Sequence, residues 1–431
     1  MDSRVYLGNF EVEEQWALGE RTLPRVTAAN GSAVVNRMDE FALLLAGKDD
    51  HVLLKTAPEP SYLAYLTGLG LELPAIHVAA AHNPRRCVTE DVLDDPALLS
   101  TLSGLAADGC HLVVHGVSEM EELLAAKTGM PLAAPDSATC KMVNSKVYSR
   151  RIAGELGLRQ PTGWGCSTTD ELTAAAAGAA ELLRAGQKVV VKEAFGVSGK
   201  GIAVVDSERR LDRLRRMITK GAADRLAFVI EAWVDKVADL NYQFTIGAGG
   251  AVRFDFVKEA ITESGVHKGH RIPARLSPAQ VEELRAAAAL LGKQLAADGY
   301  FGVAGVDAMV DPDGGLYPVL EINARHNMST YQVPLQERFI GPHQVALARH
   351  YPLRLADPLP FETVHRLLAK LMLDRAGGSG LLVNNFATVN AAAGAGPFDG
   401  RLYGLIVASA EDELTALDAG ITARLATLEE K

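Results

Sequence analysis

Residues 301–325, FGVAGVDAMVDPDGGLYPVLEINAR, constrain this chain more than any other segment. Asp-Pro and Asp-Gly-Gly supply turn geometry between two apolar runs, so the segment predicts a β-hairpin bending at Asp311 to Gly315. Centred on Gly314, that hairpin sets Asp307 across from Glu321 on one face, with Cβ atoms about 5 Å apart. Side chains alternate along a strand, so Asn323 and Arg325 share the face of Glu321, while Ile322 and Ala324 take the other. Like charges opposed in this way destabilise a sheet unless a cation lies between them, and oxygen ligands of this kind suit Mg2+. An edge hairpin with solvated charges accounts for Asp311 and Asp313 in the turn. It does not account for Glu321, which interrupts an apolar strand.

A second segment, VVVKEAFGVSGKGIAVV, places Lys192 at the end of an apolar strand, followed by Gly196, Ser198, Gly199 and Gly201 in a turn before another strand. Glycines permit close backbone approach, and successive N–H groups can cradle phosphate oxygens. The turn lacks the Ser or Thr of a Walker A loop after Lys200, and a strand rather than a helix follows. The glycine spacing about Ser198 also rules out a nucleophile elbow. A flexible hairpin without a ligand stays open as a reading. Lys192, expected to be largely buried, calls for an anionic partner.

Around these segments the chain alternates. Short apolar runs at 4–7, 51–54, 75–78 and 111–114, with helix-like stretches such as 90–106 between them, indicate a parallel, Rossmann-like sheet. Gly68 and Gly70 lack the third glycine and opening helix of a dinucleotide fingerprint and read as packing glycines. From Ser137 a helix is expected to run to Gly157, then an alanine-rich helix, and then the strands of a small α+β unit of about 90 residues that ends near LAFVIEAWV. Two further strands precede a long helix with Ser277 as N-cap and Gly299 beyond its C-terminus. The last 75 or so residues are expected to hold a helix from Phe361, a glycine/alanine-rich loop and a final strand–helix pair.

Composition narrows the function. The net charge is −10, with 48% hydrophobic and 22% charged residues, which fits a globular protein of two to four domains. No chain-wide positive field exists to hold nucleic acid, and any polyphosphate ligand needs local cations and a metal. Cys87, Cys110, Cys140 and Cys166 are scattered, which implies neither a zinc site nor a disulfide framework. The N-terminus carries no signal-like segment and no run of about 18 apolar residues occurs, so a cytoplasmic protein that neither crosses nor binds a membrane is expected.

Lys146 in VNSKVYSRRIAGELG, Lys192 with the glycine turn, Glu231 in FVIEAWV and the 307–325 hairpin, in this order over residues 138–330, together resemble the ATP-grasp ligases. The resemblance implies an α/β and α+β chain: an ATP-grasp fold with an N-terminal Rossmann-like pre-ATP-grasp domain over 1–137. A lid subdomain would follow over 138–225, a core subdomain with the metal hairpin over 226–354, and a C-terminal α/β extension over 355–431. ATP would lie between the two subdomains, with Lys146 and Lys192 on its phosphates and Gly196, Ser198, Gly199 and Gly201 closing over them. Glu231 and the backbone of Ala232 to Val234 would meet the adenine, and Asp239 or Asn241 the ribose, although ADLNYQFTI departs from the family's usual pattern here. Asp307, Glu321 and Asn323 match the metal ligands, for two Mg2+ ions with Mn2+ as an alternative, and Arg325 matches the arginine that holds phosphate or intermediate.

The implied chemistry phosphorylates a carboxylate to an acyl phosphate, which an amine then attacks, with Arg325 and Lys192 as catalytic groups. No Ser-His-Asp or Cys-His set is needed. In KEAITESGVHKGHRIP, Lys258, Glu259, His267, Lys268, His270 and Arg271 form a polar stretch between a strand and the long helix. There Arg271 or His270 suits an α-carboxylate and Glu259 an ammonium, with a solvated loop as the alternative for each. His326 and Tyr331 are further pocket candidates. The expected substrates are amino acids or small peptides, glutamate among them, in specialised metabolism, and the C-terminal residues are a candidate homodimer interface. The alternatives are a carboxylating or purine-pathway member of the same superfamily and a non-catalytic nucleotide-binding protein.

Overall fold

The computed structural model describes residues 3–24, 31–81, 83–196, 201–220, 224–263 and 266–428. The four apolar runs of the first third form strands Arg4–Leu7, His51–Leu54, Ala75–Val78 and His111–Val114, all parallel. They lie side by side in the order Ala75–Val78, His51–Leu54, Arg4–Leu7, His111–Val114. The helical stretch expected over 90–106 is two helices, Val88–Leu93 and Pro96–Ala107. The break comes where Asp95 accepts from the amides of Ala97 and Leu98 and Pro96 opens a new first turn. In the same way the helix expected from Ser137 divides into Ser137–Val143 and Lys146–Glu155, which places Lys146 in the first turn of its own helix.

A four-stranded sheet, Gly163–Cys166, Phe228–Ala232, Val189–Glu193 and Ile202–Val205 in that order, is covered by helices Thr169–Arg184 and Glu208–Thr219. Val189, Val191, Phe228 and Ile230 build a separate core there with Leu172 and Ala179. Here Gly201 takes φ +77° beside the Glu193 carboxylate, whose oxygen lies 2.5 Å from where a Cβ would stand, so only glycine closes this turn without displacing Glu193.

The third sheet has eight strands, in the order Leu316–Asn323, Gly302–Val310, Ala238–Ile246, Val252–Glu263, Val266–Ile272, Val345–Leu355, Phe398–Ala408 and Gly380–Asn385. Helix Pro278–Ala297, capped by Ser277 as its hydroxyl accepts from Gln280 N, packs on it. The first part of the polar stretch 258–271 thus belongs to the second of the two expected strands, and the rest forms a further strand paired with it, with Glu259 directly opposite Arg271. The C-terminal loop region also contributes a strand, Gly380–Asn385, whose six residues are all buried. Three strands after residue 344 thus complete the sheet that carries the carboxylate hairpin. Among the described residues no helix is long and apolar enough to cross a membrane.

Candidate active site

Strands Gly302–Val310 and Leu316–Asn323 pair antiparallel with Asp307 opposite Glu321 and Gly305 opposite Asn323. Nearer the turn the register differs: Met309 faces Tyr317 and Val310 faces Leu316, and an irregularity between Asp307 and Met309 restores the expected pairing. The turn is built by Asp311, whose Oδ1 accepts from Asp313 N at 3.0 Å and Gly315 N at 2.8 Å while Oδ2 meets Arg159 at 2.7 Å.

The two opposed carboxylates lie in a network of donors. Asp307 accepts from Asn241 Nδ2 at 2.9 Å and Asn323 Nδ2 at 3.3 Å. Lys146 Nζ donates to Glu321 Oε1 at 2.5 Å and to the Gly196 carbonyl at 3.2 Å, so one ammonium joins the hairpin to the first residue of the glycine turn. Burial pushes both the Glu321 and Asp307 carboxyls above their ordinary range. Lys146 opposes the shift at both, and at Glu321 the Asp307 charge adds to it. Such a pair gains from any further cation brought to it. Asn323 turns its nitrogen to Asp307 and its oxygen to Arg325 Nη2 at 3.1 Å.

Arg325 donates to the His326 carbonyl at 2.9 Å and forms an ion pair with Glu13, from the short helix Val12–Trp16 that follows the first parallel strand. This Glu13 contact escaped the sequence reading. Its signal is position, since ligand-binding groups of a parallel sheet gather beyond the carboxyl ends of its strands. His115 lies on the same side: its Nδ1 is 2.9 Å from the Tyr331 hydroxyl and its ring stacks on Phe10 with centroids 4.2 Å apart. Burial, with Arg325 adding to it, lowers the His326 imidazole to about 4 and drives that of His115 well below its ordinary range. Both rings are therefore neutral at pH 7.

In the smaller sheet, Lys192 Nζ lies 2.5 Å from Glu231 Oε1, and Arg150 Nη1 lies 2.9 Å from Glu231 Oε2. Each oxygen of Glu231 thus holds one cation. Arg150 was not foreseen either, though it stands four residues from Lys146 and hence on the same helical face. The amide of Ala232 is taken by Thr162 O at 2.7 Å, and Val234, two residues on, is half-buried. Asp239 accepts from Lys236 at 2.5 and 2.6 Å and from Thr262 at 2.5 Å. Ser198 and Gly199 fall outside the described residues.

Of the expected substrate residues, Glu259 and Arg271 stand opposite each other across two strands, and each has a further partner. Glu259 forms a two-pronged ion pair with Arg275, which holds its carboxyl below the ordinary range. Arg271 pairs with Glu411 at the start of the C-terminal helix, and His270 is buried within the sheet. Of His267, only its place on strand Val266–Ile272 is described. Lys258 is fully buried and donates to Ser329 O at 2.8 Å and Gln332 Oε1 at 3.1 Å. Ser329 in turn donates to Asn241 Oδ1 at 2.7 Å, so the Lys258 side chain backs the residue that holds Asp307.

Among the described residues no third acid joins Asp307 and Glu321 as a potential metal ligand. Two carboxylates and an amide fit Mg2+, which commonly takes one or two protein carboxylates and completes its shell with water and substrate phosphates.

A parallel-stranded unit, a smaller four-stranded sheet and a carboxylate-bearing antiparallel sheet, the last two joined through Lys146, are the parts of a protein of the ATP-grasp class. The family profile of the pre-ATP-grasp domain matches residues 38–130 and that of the ATP-grasp domain matches residues 167–329. The chain belongs to the ATP-grasp superfamily and is an ATP-dependent ligase. It is 28% identical over 324 residues to the [butirosin acyl-carrier protein]--L-glutamate ligase of Niallia circulans, an alignment covering 75% of this chain and 72% of that one. To the carbamoyl phosphate synthase large chain of Xylella fastidiosa it is 25% identical over 201 residues, 46% of this chain and 18% of that one. Its fold superposes on an N5-carboxyaminoimidazole ribonucleotide synthetase in complex with ADP, with TM-score 0.56 and 16% identity, covering 100% of this chain and 98% of that one. It also superposes on the biotin carboxylase domain of Hydrogenobacter thermophilus 2-oxoglutarate carboxylase in complex with MgADP, with TM-score 0.54 and 14% identity, covering 95% and 87%.

Proposed function

We propose that this ligase phosphorylates the carboxylate of an amino acid, glutamate, and transfers the acyl group to an amine, releasing ADP and phosphate. In this reading residues 1–137, 138–225 and 226–354 are the pre-ATP-grasp unit, the lid and the core, and residues 355–431 complete the core sheet. The observation that carries it is the face shared by Asp307, Glu321, Asn323 and Arg325, with Lys146 laid across it. Asp307, Glu321 and Asn323 would hold Mg2+, which when bound neutralises the triphosphate and lets an anionic carboxylate approach its γ-phosphorus. Lys146, tied to Gly196, and Lys192, paired with Glu231, would take phosphate oxygens. Arg325 then stabilises the oxyanion formed when the amine attacks the acyl carbon, and the leaving phosphate with it.

The glutamate assignment is supported by the relative named a glutamate ligase, which aligns with three quarters of this chain. Incubation with Mg-ATP, hydroxylamine and pools of amino acids tests it. Glutamate-dependent ADP release with formation of glutamyl hydroxamate is expected. ADP release with bicarbonate alone would instead mark a carboxylase, and no release with any pool would mark a non-catalytic nucleotide-binding protein.

A further inference from the structure

Glu13 meets Arg325 from a short, fixed piece of backbone. Helix Val12–Trp16 follows strand Arg4–Leu7 after Asn9, whose side-chain amide donates to Gly116 O at 2.8 Å and accepts from His115 N at 2.9 Å. Trp16 Nε1 donates to Val117 O at 2.9 Å. A Cβ on Gly116 would stand 2.9 Å from Val12 and 3.2 Å from Trp16, so a glycine here lets the helix lie this close to the end of strand His111–Val114. Glu13 is therefore a placed acid rather than a solvated one: its side chain is 9% exposed and that of Arg325 10%.

The ion pair leaves hydrogen-bonding capacity on both sides. Nη2 of Arg325 serves Glu13 Oε1 and Asn323 Oδ1, Nη1 serves the His326 carbonyl, and among the described residues the buried Nε has no hydrogen-bond partner. On the acid, Oε1 takes the arginine while Oε2 accepts from no described residue. A buried N–H without a partner calls for an acceptor, and the acyl oxygen of an acyl phosphate is one. A cavity of about 630 Å³, lined by His115, Gly116, Val117 and His326 among others, reaches Arg325. Charge selects what binds beside it. Lys146 is taken by Glu321, and burial keeps the imidazoles of His115 and His326 neutral. An acceptor amine arrives as an ammonium, which cannot attack until it loses a proton. A carboxylate both attracts the ammonium and accepts that proton, which a neutral imidazole does less well. The Glu13 charge also adds to the upward shift at Glu321, so the acid lies within electrostatic reach of the hairpin face.

Building on the ligase function proposed above, we infer that Glu13 is the catalytic group that binds the acceptor ammonium and takes its proton, while Arg325 Nε holds the acyl oxygen. One ammonium proton passes to Glu13 Oε2, and the lone pair so freed bonds to the acyl carbon. The bond from that carbon to the phosphate oxygen breaks, and a second proton of the nitrogen leaves with phosphate. The third stays on the amide, and Glu13 returns its proton to water.

The test compares two nucleophiles of nearly the same size on the whole protein with Mg-ATP and glutamate. Hydroxylamine is unprotonated at neutral pH and needs no base, whereas methylamine is an ammonium and does. Glutamyl hydroxamate and glutamyl methylamide are read by mass. The unaltered protein is expected to form both. In Glu13→Gln the methylamide should fall about a hundredfold, the size of a general-base contribution, and the hydroxamate by no more than about threefold. Equal losses with the two nucleophiles would reduce Glu13 to a holder of Arg325 and overturn the inference, as would no loss with either. Should Glu13→Gln give no hydroxamate, Glu13→Asp decides, since it keeps a carboxylate at a changed reach: a loss about tenfold greater for methylamide than for hydroxamate supports the proton transfer, and equal losses overturn it. Hydroxamate without methylamide from the unaltered protein would remove this inference alone. Absence of the hydroxamate there would remove the ligase function with it.

Discussion

Lys146 Nζ lies 2.5 Å from Glu321 Oε1, although 175 residues separate the two in sequence, and the same ammonium reaches the carbonyl of Gly196. One cation therefore links the opposed carboxylates to Gly196, the residue that follows the small sheet's Lys192 strand. Replacing it shows what the carboxylates require. In Lys146→Met, Glu321 loses its paired cation and Asp307 keeps only Arg325 of the two cations that offset its charge, which costs roughly 3 kcal/mol for a buried pair broken on one side. Melting temperatures measured with and without Mg2+ should show the ion stabilising the variant more than the unaltered protein. Equal shifts would remove the metal from this face.

Glu321→Gln keeps the shape of the side chain and removes its charge. ADP release should fall by about two orders of magnitude or more, as expected when a preorganised charge at a phosphoryl-transfer site is lost, while the circular dichroism spectrum stays unchanged. Undiminished turnover would exclude Glu321 as a metal ligand.

Glu231 holds Lys192 on one oxygen and Arg150 on the other, so Lys192→Met and Glu231→Gln should not act independently. Each is expected to raise the KM for ATP, and a double-mutant cycle should give a coupling of about 1–3 kcal/mol. Strict additivity would show that Glu231 serves the nucleotide directly rather than through the lysine.

Arg271 faces Glu259 across two strands and is paired with Glu411. Arg271→Ala should raise the KM for the amino-acid substrate several-fold more than that for ATP. The reverse ranking would confine Arg271 to joining the C-terminal helix to the sheet.

Glu40 is buried, with Oε2 accepting from Phe386 N at 2.6 Å and Ala387 N at 2.9 Å, and burial raises its carboxyl to about 7. A pKa higher in the folded than in the unfolded chain adds stability that is fully present below about 4.5 and is lost as pH rises through about 7. Over that window the loss is roughly 3 kcal/mol at about 1.4 kcal/mol per pH unit. The melting temperature of Glu40→Gln should therefore decline less between pH 5 and 8 than that of the unaltered protein, and identical slopes would refute the assignment.

The parallel strands of the first third and the Asp307–Glu321 pairing were legible in the chain because both rest on local patterning: apolar runs of strand length in one case, period two about a turn in the other. The turn centre was displaced, yet the pairing held because the irregularity after Asp307 compensates. Helix boundaries within 90–106 and 137–157 were less legible, since Asp95-Pro96 and Asn144-Ser145 interrupt runs whose composition is helical throughout. The strand carrying Lys258 and Glu259 was legible, but the strand that follows it, Val266–Ile272, was not, because its charges face partners brought from elsewhere, Glu411 among them.

Spacing and alternation along the chain alone determined that acids and amides share one face of a hairpin and that a lysine precedes a glycine turn. Only the tertiary structure decided which cation meets which acid: Lys146 with Glu321, Arg325 with Glu13, and Arg150 and Lys192 with Glu231. The physical reason is that hairpin register is set by residues a few positions apart, whereas a buried charge is satisfied by whatever counter-charge the packing of distant elements brings within about 3 Å.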